Sequence, residues 1–254
     1  MKGTLAVNNE LIRRRRKRNA IKKTAVILIL LIAVLVTLCL KLSYFNLQDI
    51  KVLNNKIVPT EDIITSCKLN KGINIFYINT TKIRTNILSN PYILDAHVKR
   101  VFPNTISVAV KERLAVFFIE NNNKYIIVDR SGIILEVRDN IDNMKLTKLK
   151  GFKVDDIKLG STIAYESKTQ IDNIALITDL ITLNNSGIII NAVNLSEGSN
   201  VQVTCGNIEI KLGSSNLKDK LNKAFNLIIQ NNYKDSKGYI DFSADSNPTV
   251  YIEK

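Results

Sequence analysis

Residues 98–113 read VKRVFPNTISVAVKER and encode two short strands separated by a turn. Ile106, Val108 and Val110 alternate with other side chains, which is the period of a strand with one buried face. Phe102-Pro103-Asn104 precedes that strand, and proline and asparagine favour turns. We therefore expect a strand over 96–101, a turn, and a half-buried strand over 105–111.

The sequence before this segment alternates between strand and helix patterns. Ile50–Val52 is a short strand, and a first helix follows Pro59. A second helix starts near Thr80 and must end before Pro91, because proline cannot continue a helix. The order strand–helix–helix–strand–strand predicts two helices packed on a three-stranded sheet.

The sequence after Arg113 predicts a second, larger α+β domain. Tyr125–Asp129 and Ile133–Val137 form a hairpin across a turn that contains Gly132. The other predicted elements are helices over Ser167–Leu183 and Asn216–Tyr233, and strands over Leu114–Ile119, Gly187–Leu195, Asn200–Thr204, Ile208–Leu212, Gly238–Phe242 and Pro248–Ile252. Together they predict a mixed β-sheet flanked by two helices.

The N-terminal segment combines a basic block with an apolar run. The 254-residue chain has a formal net charge of +13, and residues 1–23 contain nine basic residues against Glu10. Thr24–Leu40 reads TAVILILLIAVLVTLCL, with no charge, glycine or proline. As a helix these residues rise about 26 Å, close to the roughly 30 Å of a bilayer core. We expect one transmembrane helix.

The basic residues predict the orientation of this helix. Positive residues favour the cytoplasmic side and attract anionic membrane lipids, so we expect a cytoplasmic N-terminus. The orienting residues are Arg13, Arg14, Arg15, Arg16, Lys17, Arg18, Lys22 and Lys23. A cleaved signal peptide is less favoured because no small-x-small site follows the run. Nucleic-acid binding is not expected, because the basic block has no interleaved aromatic residues.

The catalytic repertoire of the sequence is narrow. His97 is the one histidine, which excludes a His-pair metal site, and the acid pairs Glu61-Asp62 and Asp155-Asp156 are adjacent rather than facing. We expect no catalytic residue, cofactor or metal. The alternative is a membrane-tethered cell-envelope enzyme acting on peptidoglycan, which requires clustered carboxylates or an activated nucleophile. Cys67 and Cys205 are expected as two buried thiols, with a disulfide as the alternative.

These motifs resemble the FtsQ/DivIB family of bacterial cell-division proteins. The segment before Leu114 is similar to a POTRA domain, and its signature residues are Val98, Arg100, Pro103, Asn104, Glu112 and Arg113. The resemblance implies four segments: a basic cytoplasmic tail (1–23), a transmembrane helix (24–43), a POTRA domain (44–113) and a C-terminal β domain (114–254). For Arg100, Glu112 and Arg113 two roles stay open, a second binding surface or an ion-pair set at the domain junction.

The resemblance also implies a function and partners. Family members are non-enzymatic scaffolds of the divisome, enriched at the division septum, that help control septal peptidoglycan synthesis. The partners implied are FtsB/DivIC and FtsL, with FtsW and the septal transpeptidase as further candidates. The last strand would receive a strand from FtsB/DivIC, with contacts at Tyr239, Ser246, Asn247, Val250, Tyr251 and Ile252. From the residues alone, an ordinary terminal strand beginning at Pro248 is the alternative.

Overall fold

The computed structural model describes residues 3–152, 154, 157–163, 168–197, 200–244 and 247–253. Its contacts divide the chain into two compact units. The first unit holds the residues up to Asn55 together with Pro59–Asn86 and Ala96–Val110. The second holds Lys56–Val58, Ile87–Asp95 and the chain from Lys111 onward.

The chain begins with a long helix, α1 (Gly3–Lys41), which continues through the basic block into the apolar run. Arg15–Lys41 is the one helical stretch of the described residues that is long and apolar enough to cross a membrane. Its leucine, isoleucine and valine side chains are exposed, except that Leu40 is half-buried. An exposed apolar surface of this size is what a lipid-facing helix presents, so α1 is consistent with a membrane anchor.

A three-stranded sheet and two short helices follow α1. The elements are β1 (Asp49–Leu53), α2 (Thr60–Ser66), α3 (Thr80–Ile87), β2 (Ile93–Val101) and β3 (Thr105–Glu112). The sheet order is β1-β3-β2, and β1 runs parallel to β3. Ile63 and Ile83 of the helices and Ile106 and Val108 of β3 are buried. The predicted order of strands and helices is confirmed.

The second unit contains a nine-stranded mixed sheet. Its further elements are β4 (Ala115–Asn121), β5 (Lys124–Asp129), β6 (Ile134–Arg138), β7 (Thr147–Lys150), α4 (Lys168–Thr182), β8 (Ala192–Glu197), β9 (Asn200–Cys205), β10 (Asn207–Gly213), α5 (Leu217–Gln230), β11 (Lys237–Asp241) and β12 (Thr249–Ile252). The sheet order is β12-β11-β10-β9-β8-β7-β4-β5-β6. Ile174 of α4 and Ala224 of α5 belong to one core cluster with strand residues such as Phe117. The predicted α+β class, with a mixed sheet and two helices, is confirmed.

Two details of this unit differ from the sequence expectation. The strand predicted over Gly187–Leu195 forms only as β8, and side chains donate hydrogen bonds to two carbonyls of the residues before it. Asn184 Nδ2 donates to the Ile188 carbonyl at 2.6 Å, and Thr147 Oγ1 donates to the Ile190 carbonyl at 3.0 Å. The short strand β7 was not predicted. The hairpin of β5 and β6 is confirmed, with Ile126 opposite Val137.

The two cysteines of the folded units are free thiols. Cys67 and Cys205 are both buried, as the sequence analysis favoured, and they form no disulfide. Burial raises the pKa of the Cys67 thiol to about 11 and that of the Cys205 thiol to about 12. Both side chains therefore stay protonated near neutral pH.

Candidate partner-binding edge

The strand β12 lies at one end of the nine-stranded sheet. It pairs antiparallel with β11, with Tyr251 opposite Tyr239 and Val250 opposite Ile240. Among the described residues no strand follows β12 on its other side. Pro248 lies just before the strand, a position where the missing N–H costs no ladder hydrogen bond.

Main-chain groups of two β12 residues are directed away from β11. Opposite residues of an antiparallel pair alternate between exchanging both hydrogen bonds and exchanging none. The Glu253 N–H donates to the Lys237 carbonyl at 2.8 Å, which makes that pair a hydrogen-bonded one. By this alternation, the pairs that contain Val250 and Ile252 exchange no hydrogen bonds. The N–H and C=O groups of these two residues therefore face the open edge.

The side chains of this edge form one exposed aromatic stack. The rings of Tyr239 and Tyr251 stack with centroids 5.5 Å apart, and Lys211 Nζ lies 5.1 Å from the centre of the Tyr239 ring. Tyr251 is 52% exposed and Val250 40%. Ile252, by contrast, packs partly against the core. The edge thus offers a partner both main-chain groups and apolar surface.

Two residues that sequence reasoning did not select shape β11 next to this edge. A Cβ atom on Gly238 would lie 2.1 Å from the Tyr251 carbonyl oxygen, so the close approach of β12 requires glycine there. Asp241 accepts hydrogen bonds from the backbone N–H of Ser243, at 2.8 Å, and from its hydroxyl. These bonds lower the pKa of Asp241 and form the turn that ends β11. The sequence signal for this turn was an aspartate followed two residues later by a serine, Asp241 and Ser243.

The opposite end of the sheet is already occupied. The Ile134 N–H of β6 donates to the Ser161 carbonyl at 2.9 Å, and its carbonyl accepts from the Gly160 N–H at 2.8 Å. The chain itself therefore pairs with the first residue of β6 on the outer side of that strand. This contrast makes the β12 edge the better candidate for binding an added strand.

The predicted contact residues lie mostly together. Tyr239, Val250, Tyr251 and Ile252 are on β11 and β12, and Asn247 is exposed two residues before β12. Ser246 lies outside the described residues. The set remains a proposal for partner binding.

The POTRA signature residues in the first unit have structural contacts. Arg100 Nε donates to the Ile75 carbonyl at 3.0 Å, and Nη2 donates to the Ile78 carbonyl at 2.6 Å. Asn104 Nδ2 donates to Gln48 Oε1 at 3.0 Å. Val98 and Pro103 are half-buried, on β2 and in the turn that follows it.

The remaining signature residues, Glu112 and Arg113, bind groups in the second unit. The Glu112 carboxylate accepts hydrogen bonds at 2.8–3.1 Å from the backbone N–H groups of residues 56–58. Arg113 forms an ion pair with the buried carboxylate of Asp129, at 2.7 Å. Arg100, Glu112 and Arg113 thus each bind a separate group of the chain, and the choice between a second binding surface and an ion-pair set at the domain junction stays a prediction.

No arrangement in the described part of the chain suggests catalysis. No group of three or more His, Cys, Asp or Glu side chains is placed there to hold a metal ion. A groove of about 790 Å³ between α4 and α5 is lined by Leu180, Leu221, Phe225 and several asparagines. Its acid, Asp179, forms an ion pair with Arg130 at 3.1 Å. The groove therefore lacks the facing carboxylates of a glycosidase.

Comparisons with known proteins agree with this architecture. The family model described as POTRA domain, FtsQ-type, matches residues 45–113, and the one described as cell division protein FtsQ/DivIB, C-terminal, matches residues 117–243. The chain is 40% identical to the cell division protein DivIB of Clostridium tetani, over 96% of this chain and 94% of that one. It is 40% identical to DivIB of Clostridium acetobutylicum, over 97% and 98%. A cell division protein FtsQ of Syntrophotalea carbinolica is 25% identical over 82% of this chain and 73% of its own.

The fold and these matches define a cell-division protein with one N-terminal apolar helix and a POTRA domain. The chain belongs to the FtsQ/DivIB family. The C-terminal family match ends at residue 243, before β12, so the role of that strand rests on its geometry.

Proposed function

We propose that the chain is a non-enzymatic, membrane-anchored scaffold of the divisome that binds FtsB/DivIC, together with FtsL, by strand addition along β12. Through these partners it would help control septal peptidoglycan synthesis, with FtsW and the septal transpeptidase as further partners in the assembly. The observation that carries the proposal is the position of β12 at the sheet end, with the main-chain groups of Val250 and Ile252 directed outward.

The size of the edge bears on how a partner would bind. Two outward residues offer up to four main-chain hydrogen bonds, each worth about 0.5–1.5 kcal/mol net. That sum is offset by the cost of ordering the partner strand, so hydrogen bonds alone would give weak binding. The exposed side chains of Val250 and Tyr251 supply apolar area next to the same edge. Since Val250 and Tyr251 lie on opposite faces of the sheet, a partner strand with apolar residues at alternate positions would combine the hydrogen bonds with the apolar area of one face.

The proposal includes a membrane orientation. The basic residues at the start of α1, Arg13–Arg18 with Lys22 and Lys23, favour a cytoplasmic N-terminus and contact anionic lipid. The POTRA and C-terminal domains then lie outside the cytoplasm, and the protein is enriched at the septum. β12 belongs to the exported part, where the partner strand must also be.

Co-purification with FtsB/DivIC and FtsL tests the strand addition. Val250→Pro removes an outward N–H without removing a bond to β11, so we expect retention of the partners by the full chain in detergent to fall at least about tenfold. The matched control is Tyr251→Phe, which keeps the backbone and the ring stack and should bind like wild type. Equal retention by Val250→Pro and wild type, with unchanged circular dichroism, would contradict the proposal.

A cellular test addresses the wider role. Depletion of the protein should give filamentous cells, because septation requires the divisome. Expression of Tyr251→Phe should restore division, and expression of Val250→Pro at the same level should not. Normal septation on complete depletion would count against the scaffold role itself, independently of how β12 binds.

A further inference from the structure

Four aromatic rings form a continuous row where α1 ends. We call Tyr44, Phe45, Phe76 and Phe102 the aromatic ladder. The ring centres of Tyr44 and Phe45 are 5.3 Å apart and those of Phe45 and Phe76 are 5.4 Å apart, both edge to face. The rings of Phe76 and Phe102 are tilted against each other, with centres 5.3 Å apart. The ladder joins three segments of the first unit that are distant in sequence.

The ladder is exposed although its members are large and apolar. Tyr44 is 63% exposed, Phe102 57% and Phe76 37%, and Tyr77 beside them is also exposed. Contiguous apolar surface of this kind usually marks a site that contacts another molecule or a membrane. The question is what covers it.

Hydrogen bonds fix the ladder beside the end of the apolar helix. Asn74 Nδ2 donates to the carbonyls of Cys39, at 2.9 Å, and Leu40, at 3.2 Å, in the last turn of α1. The Leu47 N–H donates to the Ile73 carbonyl at 2.8 Å. Phe76 follows Asn74 by two residues and its ring contacts that of Phe45, so it lies near the end of the apolar run.

The turn that carries Phe102 is fixed at the same end of the unit. The Gln48 N–H donates to the Asn104 carbonyl at 2.9 Å, and the two side chains are also hydrogen-bonded. Gln48 immediately precedes β1. It therefore lies at the end of that strand that is nearer to the apolar helix. Phe102 is therefore held on the membrane-proximal side of the sheet.

The length of the apolar run places the bilayer boundary at the ladder. Thr24–Leu40 rises about 26 Å, whereas a typical hydrocarbon core is about 30 Å thick. The remaining few ångströms extend past Leu40, toward Tyr44 and Phe45 of the ladder. Aromatic residues are enriched at this level of membrane proteins, where their rings meet both acyl chains and headgroups.

We propose that the aromatic ladder docks the first unit onto the phospholipid surface from which α1 emerges. The rings of Phe76 and Phe102 lie in the headgroup interface next to Tyr44 and Phe45, and the exposed Lys41 that ends α1 reaches phosphate groups. The ladder thereby restrains the tilt of the first unit relative to the membrane surface.

The absence of tryptophan from the sequence permits a direct test. Phe102→Trp gives the full chain one indole in the ladder, and Leu53→Trp gives one at the far end of β1. Leu53 is a matched control because it is 48% exposed, similar to Phe102, and four residues along β1 from Asp49, about 13 Å away. Both proteins are reconstituted in vesicles of phosphatidylcholine and phosphatidylglycerol, with and without brominated acyl chains.

We expect brominated lipid to quench Phe102→Trp at least about twofold more than Leu53→Trp, with emission at shorter wavelength for Phe102→Trp. Phe76→Trp is a second ladder position if Phe102→Trp alters the circular dichroism spectrum, and it should also be quenched. Equal quenching of the ladder and control positions would overturn the proposal and would leave the ladder to another protein. No partner protein is present in the vesicles, so the result is independent of strand addition at β12.

Discussion

Among single residues, Arg100 illustrates a signature position that acts through structure. Its guanidinium donates to the carbonyls of Ile75 and Ile78, which belong to the segment between α2 and α3. We expect Arg100→Met to lower the free energy of unfolding by about 1–2 kcal/mol, because two carbonyls lose a charged donor. Chemical denaturation of the chain in detergent measures the change. Lys99→Met, at the exposed neighbouring position, is the control, and an equal loss in both variants would contradict this role.

Because the thiol of Cys205 is buried, we expect the free energy of unfolding of the second unit to depend on pH in the alkaline range. Its pKa is raised by burial from an ordinary value near 9 to about 12. Above pH 9 the unfolded chain loses this proton while the folded chain keeps it, so stability falls by up to about 1.4 kcal/mol per pH unit as the pH rises toward 12. Below pH 9 both states hold the proton, and the thiol contributes no pH dependence.

Substitution of Cys205 isolates this effect. Between pH 8.5 and 10.5 we expect the unfolding free energy of Cys205→Ala to fall less steeply than that of wild type, by about 1–2 kcal/mol in total. Val193→Ala is the control, because it truncates another buried side chain of the same sheet without removing an ionisable group. The explanation fails if Cys205→Ala and Val193→Ala show the same slope as wild type.

Among the secondary-structure elements, β12 depends on a single glycine of its neighbour. Because a Cβ on Gly238 would meet the Tyr251 carbonyl oxygen, we expect Gly238→Ala to displace β12 from β11. Hydrogen exchange of the Thr249 and Tyr251 amides, which alternation places in bonds to β11, should then accelerate at least about tenfold, since those ladder bonds are lost. Lys237→Ala, which removes only an exposed ion pair to Glu253, should leave exchange nearly unchanged. Slow exchange in Gly238→Ala would show that β12 tolerates the methyl group.

Two segments also show what the sequence patterns could and could not predict about secondary structure in this protein. The alternation of Ile106, Val108 and Val110 predicted β3, because a strand with one buried face reveals its period locally. Ile188 and Ile190 are likewise buried on either side of an exposed Ile189, yet those residues form no strand. The side chains of Asn184 and Thr147 donate hydrogen bonds to the carbonyls of Ile188 and Ile190, and Thr147 is distant from Ile190 in sequence. A pattern of burial therefore predicts which side chains are inside, but not which backbone groups pair.

The candidate edge was predictable to a similar extent. Pro248 and the apolar residues after it indicated a final strand, and the family resemblance indicated its use. The stack of Tyr239 on Tyr251 depends on the register of β11 and β12, and the need for glycine at 238 depends on their spacing. Register and spacing are set by contacts across the sheet, which local periodicity does not contain.

For the whole molecule, the distribution of charge is the basis of the proposed membrane orientation. The residues flanking the apolar run on its N-terminal side include eight lysines and arginines from Arg13 to Lys23. On the other side Lys41, Lys51 and Lys56 are the basic residues up to position 60. Since the positive side stays in the cytoplasm, this imbalance favours export of the folded units.

Neutralising the N-terminal block should therefore weaken or invert this orientation. Replacement of the eight basic residues between 13 and 23 by glutamine leaves three lysines on the far side, so the charge bias changes sign. We expect protease added to spheroplasts to degrade a C-terminal tag on the wild-type chain and to leave much of the tag on the variant intact. Lys41→Gln, which increases the original imbalance, should remain fully accessible. If the tag of the neutralised variant is degraded as completely as that of wild type, orientation must be set by the folding of the exported units rather than by the basic block.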